Sequence, residues 1–240
     1  MKITVVSYRG GSGKSLFAIN LATSLPNTLL IEADFLAPAL TYVSPTTSKY
    51  WNDYLLGNCD SKDIINSVGN IDLVYTNPDI KDLFKHIQNR KMWGDRFSDR
   101  ISKFLVEQEK KHEFIIIDNQ GGRFLSSVTH AFFADFLICV LRPDQSDVIA
   151  TASYLKNLRK DFYLVWNQVL SHSQMTEVIS KWTEECFTRQ INYKGTLGVI
   201  PFDEGTAFQR WVQRKLFIKD TKFAYAVEEI AKKLTKLNKE

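Results

Sequence analysis

The sequence is short of the residues that staple small proteins together. Its three cysteines, Cys59, Cys139 and Cys186, are scattered, odd in number and form no C-x-x-C pair. That argues against a disulfide framework or a cysteine zinc site, and Cys139, inside an apolar run, reads as core. The four histidines, His86, His112, His130 and His172, lack metal-ligand spacing and read as structural or solvated. No apolar run approaches the roughly 18 residues that span a bilayer. The first residues run straight into an apolar segment with no secretory leader pattern, so a cytoplasmic location is expected. Internal repeats, low-complexity tracts and a dividing linker are also missing. At 240 residues, 44% hydrophobic and 24% charged, the chain suits one domain, residues 1–240, large enough for its own core.

What is present is concentrated near the amino end. Ile3-Thr4-Val5-Val6 is followed by Ser7-Tyr8-Arg9-Gly10-Gly11-Ser12-Gly13-Lys14-Ser15, and then by Leu16, Ile19, Asn20, Leu21 and Leu25 at helical spacing. Strand, glycine-rich loop and helix in that order read as a phosphate-binding loop. Glycine lets backbone N–H groups close around phosphate oxygens, and the opening helix adds its unpaired N–H groups and positive dipole end. Lys14 is predicted to contact the β- and γ-phosphates and the Ser15 hydroxyl to ligate Mg²⁺. Gly10, Gly11, Ser12, Gly13 and Leu16 complete the predicted nucleotide cradle. Tyr8 stands where the common G-x-x-x-x-G-K-[ST] pattern has its first glycine.

Further along, apolar runs alternate with helical segments. Strands are predicted at 28–31, 71–76, 114–118, 135–141, 162–166 and 197–200, with helices at about 146–160 and 174–190 and a last one carrying Phe223, Val227, Ile230 and Leu234. Residues 41–70 suggest two short helices over the sheet edge, and 79–112 a helical stretch broken near Trp93-Gly94. The alternation predicts a single-domain, three-layer α/β/α fold around a mostly parallel sheet of the phosphate-loop NTPase type. In such sheets ligands lie at the carboxyl ends of the strands. That rule gathers Glu32 and Asp34, Asp118 and the turn Gly121-Gly122 beside the loop. Asp118 supplies the carboxylate that commonly supports Mg²⁺, often through water. Gly121 and Gly122 let the backbone approach the γ-phosphate.

The segment Arg9-Gly10-Gly11-Ser12-Gly13-Lys14-Ser15 resembles the deviant phosphate loop of the ParA/MinD-type ATPases, usually K-G-G-x-G-K-[ST]. The resemblance extends over essentially the whole chain, from the loop to the terminal helix. It implies that ATP bridges two subunits, with Arg9 in the position of the lysine that reaches the partner's phosphates. Glu32-Ala33-Asp34 looks like the family's D-x-D segment, implying that Glu32 holds a Mg²⁺-bound water and Asp34 positions the attacking water. Asp34 equally suits a helix N-cap before Phe35 to Leu40. By the same resemblance Asn167 hydrogen-bonds adenine, and Pro201, Phe202 and Asp203 form the adenine-side loop. A guanine reader would need Asn-Lys-x-Asp, and the chain has Asn167-Gln168-Val169-Leu170. ATP with Mg²⁺ is therefore the expected cofactor pair.

Members of this family are slow, partner-stimulated switches whose ATP-bound dimer rides on a surface. A homodimer and an adaptor or activator protein are thus implied. Residues 205–240 carry nine Lys/Arg against four Asp/Glu, including Arg210, Arg214, Lys215, Lys219 and Lys222. That excess suits non-specific DNA contacts and a ParA-like role in partition or positioning of DNA. The alternatives are a MinD-like switch positioning a membrane or protein assembly, and a metabolic ATP-dependent enzyme on the same fold. The last residues, 231–240, offer two leucines and no aromatic, a poor membrane anchor.

Overall fold

The computed structural model describes residues 1–41, 47–81, 83, 97–122, 124–170 and 172–239. In chain order the elements are β1 (Lys2–Val6), α1 (Lys14–Ser24), β2 (Thr28–Ala33), α2 (Trp51–Leu56), a 3-10 turn at Ser61–Ile64, β3 (Ile65–Val68) and β4 (Ile71–Val74). Then come α3 (Ser98–Gln108), β5 (Phe114–Asn119), α4 (Leu125–Phe133), β6 (Phe136–Leu141), α5 (Gln145–Leu158) and β7 (Phe162–Val169). The chain finishes with α6 (Ser173–Cys186), β8 (Tyr193–Pro201), the short α7 (Glu204–Ala207), a π-helical turn at Phe208–Val212 and α8 (Lys222–Leu237).

The strands form one eight-stranded sheet in the order β3-β4-β2-β5-β1-β6-β7-β8. All neighbours are parallel except β3 with β4. The central strands are buried on both faces, as helices on either side of a parallel sheet require. Odd residues of β1, Ile3 and Val5, pack with Phe17, Ile19 and Leu21 of α1 and with Val227, Ile230 and Leu234 of α8. On the opposite face Ile115 and Ile117 meet Trp51 of α2 and Phe104 of α3, while Cys139 and Leu164 meet Tyr154 of α5. The expected three-layer architecture is therefore the one observed. Burial of a side chain such as Phe17, fully covered, contributes about 1.5–3 kcal/mol relative to exposure.

α1 is the helix expected after the loop and is buried along most of its length. Wedged between the sheet and α8, it buries Phe17, Ala18, Ile19, Asn20, Leu21 and Ala22. Among the described residues of 41–70 the short helical pieces are α2 and the 3-10 turn Ser61–Ile64, and Ile65–Val68 is, beyond expectation, an antiparallel edge strand whose turn uses Gly69 at φ 61°. The Gly69-Asn70 pair between two apolar residues is a hairpin signal, hidden by the shortness of the four-residue strand. The break expected near Trp93-Gly94 lies outside the described residues. β7 continues past Asn167 to Val169, and β8 begins at Tyr193 rather than Leu197.

Strand register sets the level of the site. Val5 sits opposite Asp118, and Asp118 opposite Glu32. Three parallel strands thus deliver the loop and two carboxylates to one edge of the sheet.

Candidate nucleotide site

The loop leaves β1 at Val6 and turns into α1 through glycines that need their freedom. Gly11 has φ 79° and Gly13, the residue preceding α1, φ 84°. A Cβ on Gly13 would lie 2.2 Å from Asn167 Nδ2. The loop is pinned from the end of β7. Asn167 Nδ2 donates to Ser12 O at 2.8 Å, and Gln168 Nε2 donates to Gly11 O at 3.2 Å. Gln168 reaches back because its own backbone is left-handed, φ 58°. Sequence reasoning missed it, since the strand was expected to stop one residue earlier.

Lys14 turns inward and is almost completely buried. Its Nζ lies 2.6 Å from Asp118 Oδ1, 3.1 Å from Ser15 Oγ and 3.9 Å from Asp34 Oδ2. The loop lysine, its hydroxyl neighbour and two of the three expected carboxylates therefore meet at one point. Asp34 does double duty. Its other oxygen accepts from Ala37 N at 3.0 Å, capping a bend in place of the alternative helix over Phe35 to Leu40. Burial raises the Asp34 carboxyl above the ordinary range; Lys14 opposes the rise and Asp118 adds to it.

Glu32 is at the right level but faces elsewhere. Its Oε1 accepts from Leu40 N at 2.6 Å, and its Oε2 accepts from Thr41 Oγ1 at 2.9 Å and Thr76 N at 3.1 Å. Burial pushes its pKa to about 7 even though these bonds pull it down. In this arrangement both oxygens are engaged by residues 40, 41 and 76, partners that nothing in the sequence pattern indicated.

The turn after β5 lies against the loop. Gly122 N donates to Ser7 O at 3.1 Å, and Gly121 sits next to Ser7 and Arg9. Arg9 is exposed on the rim, its carbonyl accepting from Ser7 Oγ at 3.1 Å. Gly10 meets nothing within 4 Å of where a Cβ would sit.

Beside the loop opens a cleft of about 410 Å³, lined by Gly11, Gly13, Leu16, Asn167, Pro201, Phe202 and, beyond expectation, Gln168, Arg210 and Trp211. Phe202 N donates to Val169 O at 2.8 Å, which ties the segment after β8 to the end of β7. The apolar walls and few polar groups are those of a small-molecule site. Its position at the carboxyl ends of the strands is where such sheets bind ligands.

The donor set fits a nucleotide with magnesium. Ser12 Oγ, in the loop, is buried with no hydrogen-bond partner. Among the described residues no three His, Cys, Asp or Glu side chains gather into a metal cage. Mg²⁺ needs none, since it is usually held by one or two protein oxygens together with waters and phosphates.

Fold and site together describe an α/β protein with a glycine loop between its first strand and first helix, at the carboxyl edge of a mostly parallel sheet. No family model and no curated protein sequence matches the chain. Solved structures do. It is similar to the cell division ATPase MinD of Pyrococcus furiosus, with 20% identity over 98% of each chain and a TM-score of 0.77. A putative plasmid partition protein of Borrelia burgdorferi bound to AMPPNP shares 19% identity over 98% of each chain, TM-score 0.76. A Cyanothece McdA variant in complex with ATP shares 15% identity over 98% of this chain and 95% of that one, TM-score 0.74. The fold is thus the MinD and partition-protein fold. No helix among the described residues is long and apolar enough to cross a membrane.

Proposed function

We propose that the chain, acting as one domain over residues 1–240, is a Mg²⁺-dependent ATPase of the positioning type, converting ATP and water to ADP and phosphate. The observation that carries this is the meeting of Lys14, Ser15, Asp118 and Asp34 at the mouth of a glycine loop. Lys14 neutralises the β- and γ-phosphates, and the N–H groups of Gly10 to Ser15 surround them. Ser15 and, through water, Asp118 would hold the metal, which would supply positive charge beside the phosphates. Asp34, drawn toward Lys14, orients the attacking water; phosphoryl transfer asks mainly for positioning and charge neutralisation. Glu32 is proposed to brace the bend after Asp34 and Thr76, with any hold on a metal-bound water secondary. Gly122, hydrogen-bonded to the loop, senses the γ-phosphate. Asn167, Leu16, Pro201 and Phe202 receive the adenine.

Turnover is proposed to be slow and coupled to an ATP-bridged homodimer. Arg9, exposed on the loop rim, is proposed to reach a second subunit, and a ligand touching both subunits stabilises the pair. The MinD and partition-protein fold supports this reading, as do neighbours solved with Mg-ADP and AMPPNP. An adaptor or activator protein is the expected trigger of hydrolysis. The charge of residues 205–240 favours DNA as the surface carried, in a ParA-like role. The exposed apolar side chains of the same region favour the second, membrane-bound reading, argued below.

Isothermal titration with Mg²⁺ and ATP, together with phosphate release, tests the core of the proposal. A folded preparation without measurable affinity for ATP and Mg²⁺ would end it.

A further inference from the structure

Residues 205–219 contain no aspartate or glutamate but carry Arg210, Arg214, Lys215 and Lys219. Three large apolar side chains of the same stretch stand out into solvent: Phe208 is 53% exposed, Trp211 74% and Val212 66%. All three belong to the π-helical turn Phe208–Val212. Their exposure is built in. Gln209 closes the base of the loop, its Nε2 donating to Lys219 O at 2.7 Å and its Oε1 accepting from Lys219 N at 3.3 Å. On the return path Leu216 and Ile218 are buried. Asn20 of α1 holds their backbone, donating from Nδ2 to Leu216 O at 2.9 Å and accepting at Oδ1 from Ile218 N at 2.8 Å. A chain that packs Leu216 and Ile218 this firmly still leaves a phenylalanine, a tryptophan and a valine outside. Adjacent exposed apolar groups of this size mark a contact surface.

We propose that the turn Phe208–Lys215 docks on the surface of an anionic lipid bilayer. Phe208, Trp211 and Val212 enter the headgroup boundary, and Arg210, Arg214 and Lys215 face the lipid phosphates. Tryptophan settles at that depth, and cations beside an apolar face are attracted by anionic lipid. A second copy suits the face less well, because a two-fold contact brings the four cations of each copy into one interface, flanked in sequence by Asp203, Glu204 and Asp220. Duplex DNA accepts the cations but has room for the apolar trio only by unstacking its bases. α8 is not the anchor, since its Phe223, Val227, Ile230 and Leu234 are buried. Arg210 and Trp211 also line the base cleft, so one segment borders nucleotide and membrane. That last link rests on the nucleotide reading; docking itself does not.

The test is co-sedimentation of the whole chain with vesicles of about three parts phosphatidylcholine to one part phosphatidylglycerol, with and without ATP and Mg²⁺. Retention on these vesicles, its absence on phosphatidylcholine alone, and weakening by salt are expected. Phe208→Ser with Val212→Ser, both outside the cleft, should lower the bound-to-free ratio about tenfold, and Arg214→Ala with Lys215→Ala similarly. Circular dichroism and ATP affinity of these variants should stay unchanged. No retention on anionic vesicles, or retention that both double variants preserve, overturns the proposal. So does an ATP-dependent dimer, measured without lipid, that the Phe208/Val212 variant loses, which gives the face to a second copy. Duplex-DNA binding lost in the same variants while vesicle binding persists gives it to nucleic acid. ATP affinity is measured on the same preparation, so failure to bind nucleotide and failure to bind vesicles are read separately.

Discussion

Lys14 Nζ and Asp118 Oδ1 form an ion pair 2.6 Å long, with side chains only 7% and 1% exposed. Removing one member of such a pair strands the other, which costs more than losing both. Lys14→Ala should therefore abolish ATP binding and also lower the melting temperature, with a loss of about 3–5 kcal/mol as the upper scale. Adding Asp118→Ala should recover much of the melting temperature and none of the ATP affinity. Calorimetry and titration of the two variants separate these effects. A double variant no more stable than Lys14→Ala would show that the pairing is not what was lost.

Asp34→Ala should keep ATP affinity within a few fold and stop phosphate release, since Asp34 lies 3.9 Å from Lys14 and is assigned to the water rather than to the phosphates. The expected companion effect is an ATP-bound dimer that persists in sedimentation. Hydrolysis at the wild-type rate would remove the residue from the mechanism.

Two loop glycines make opposite forecasts. Gly13→Ala meets Asn167 Nδ2 at 2.2 Å and must hold φ 84°, a strain of about 1–2 kcal/mol before the clash is counted. ATP affinity should fall at least about tenfold while the helix content is retained. Gly10→Ala has open space and should change affinity far less. Equal losses at both positions would mean that the bonds from Asn167 and Gln168 do not set the loop's shape.

Arg9→Ala should weaken ATP-dependent dimerisation more than ATP binding by the monomer, because the side chain stands on the exposed rim of the loop. Sedimentation velocity over a range of protein concentrations, with ATP and Mg²⁺, measures the difference.

The acid limb of stability should carry the signature of His130. Burial depresses its pKa from 6.5 to about 4, only partly opposed by its bond to Ser126 O. Between those values the unfolded chain binds a proton that the folded chain refuses, so this contribution is whole above 6.5 and is lost as pH falls toward 4. Glu32 has the opposite sign: raised from 4.5 to about 7, it favours the folded state fully below 4.5, and that advantage disappears as pH rises through about 7. His130→Phe should flatten the decline between about pH 6.5 and pH 4 in chemical denaturation. An unchanged slope would assign the acid sensitivity to other groups.

The parallel sheet was legible because Ile115, Ile116 and Ile117, or Leu29 to Ile31, can only belong to strands covered on both faces, and because loop and carboxylates fall at strand ends. Side-chain direction was less legible. Glu32, on β2, and Asp34, one residue past its end, have the spacing that places strand residues on one face, yet one is claimed by Leu40, Thr41 and Thr76 and the other by Lys14 and Ala37. Those partners come from turns whose paths no local propensity specifies. Gln168 escaped notice for the same reason, since its reach to Gly11 goes with a left-handed backbone near the end of β7. The exposed turn around Trp211 was read for charge alone. Only the burial of Leu216 and Ile218 reveals that its apolar residues point away from the core.

Asn20 joins α1 to the backbone of Leu216 and Ile218 through bonds spanning 196 and 198 residues of sequence. A version cut before Leu216 would lose both of these bonds and, with α8, the apolar cover that Val227, Ile230 and Leu234 lay over α1, and each large side chain so uncovered costs about 1.5–3 kcal/mol. The carboxy-terminal segment is accordingly no detachable tail. Anyone shortening it to isolate the nucleotide-handling part would damage the helix on which that part is built.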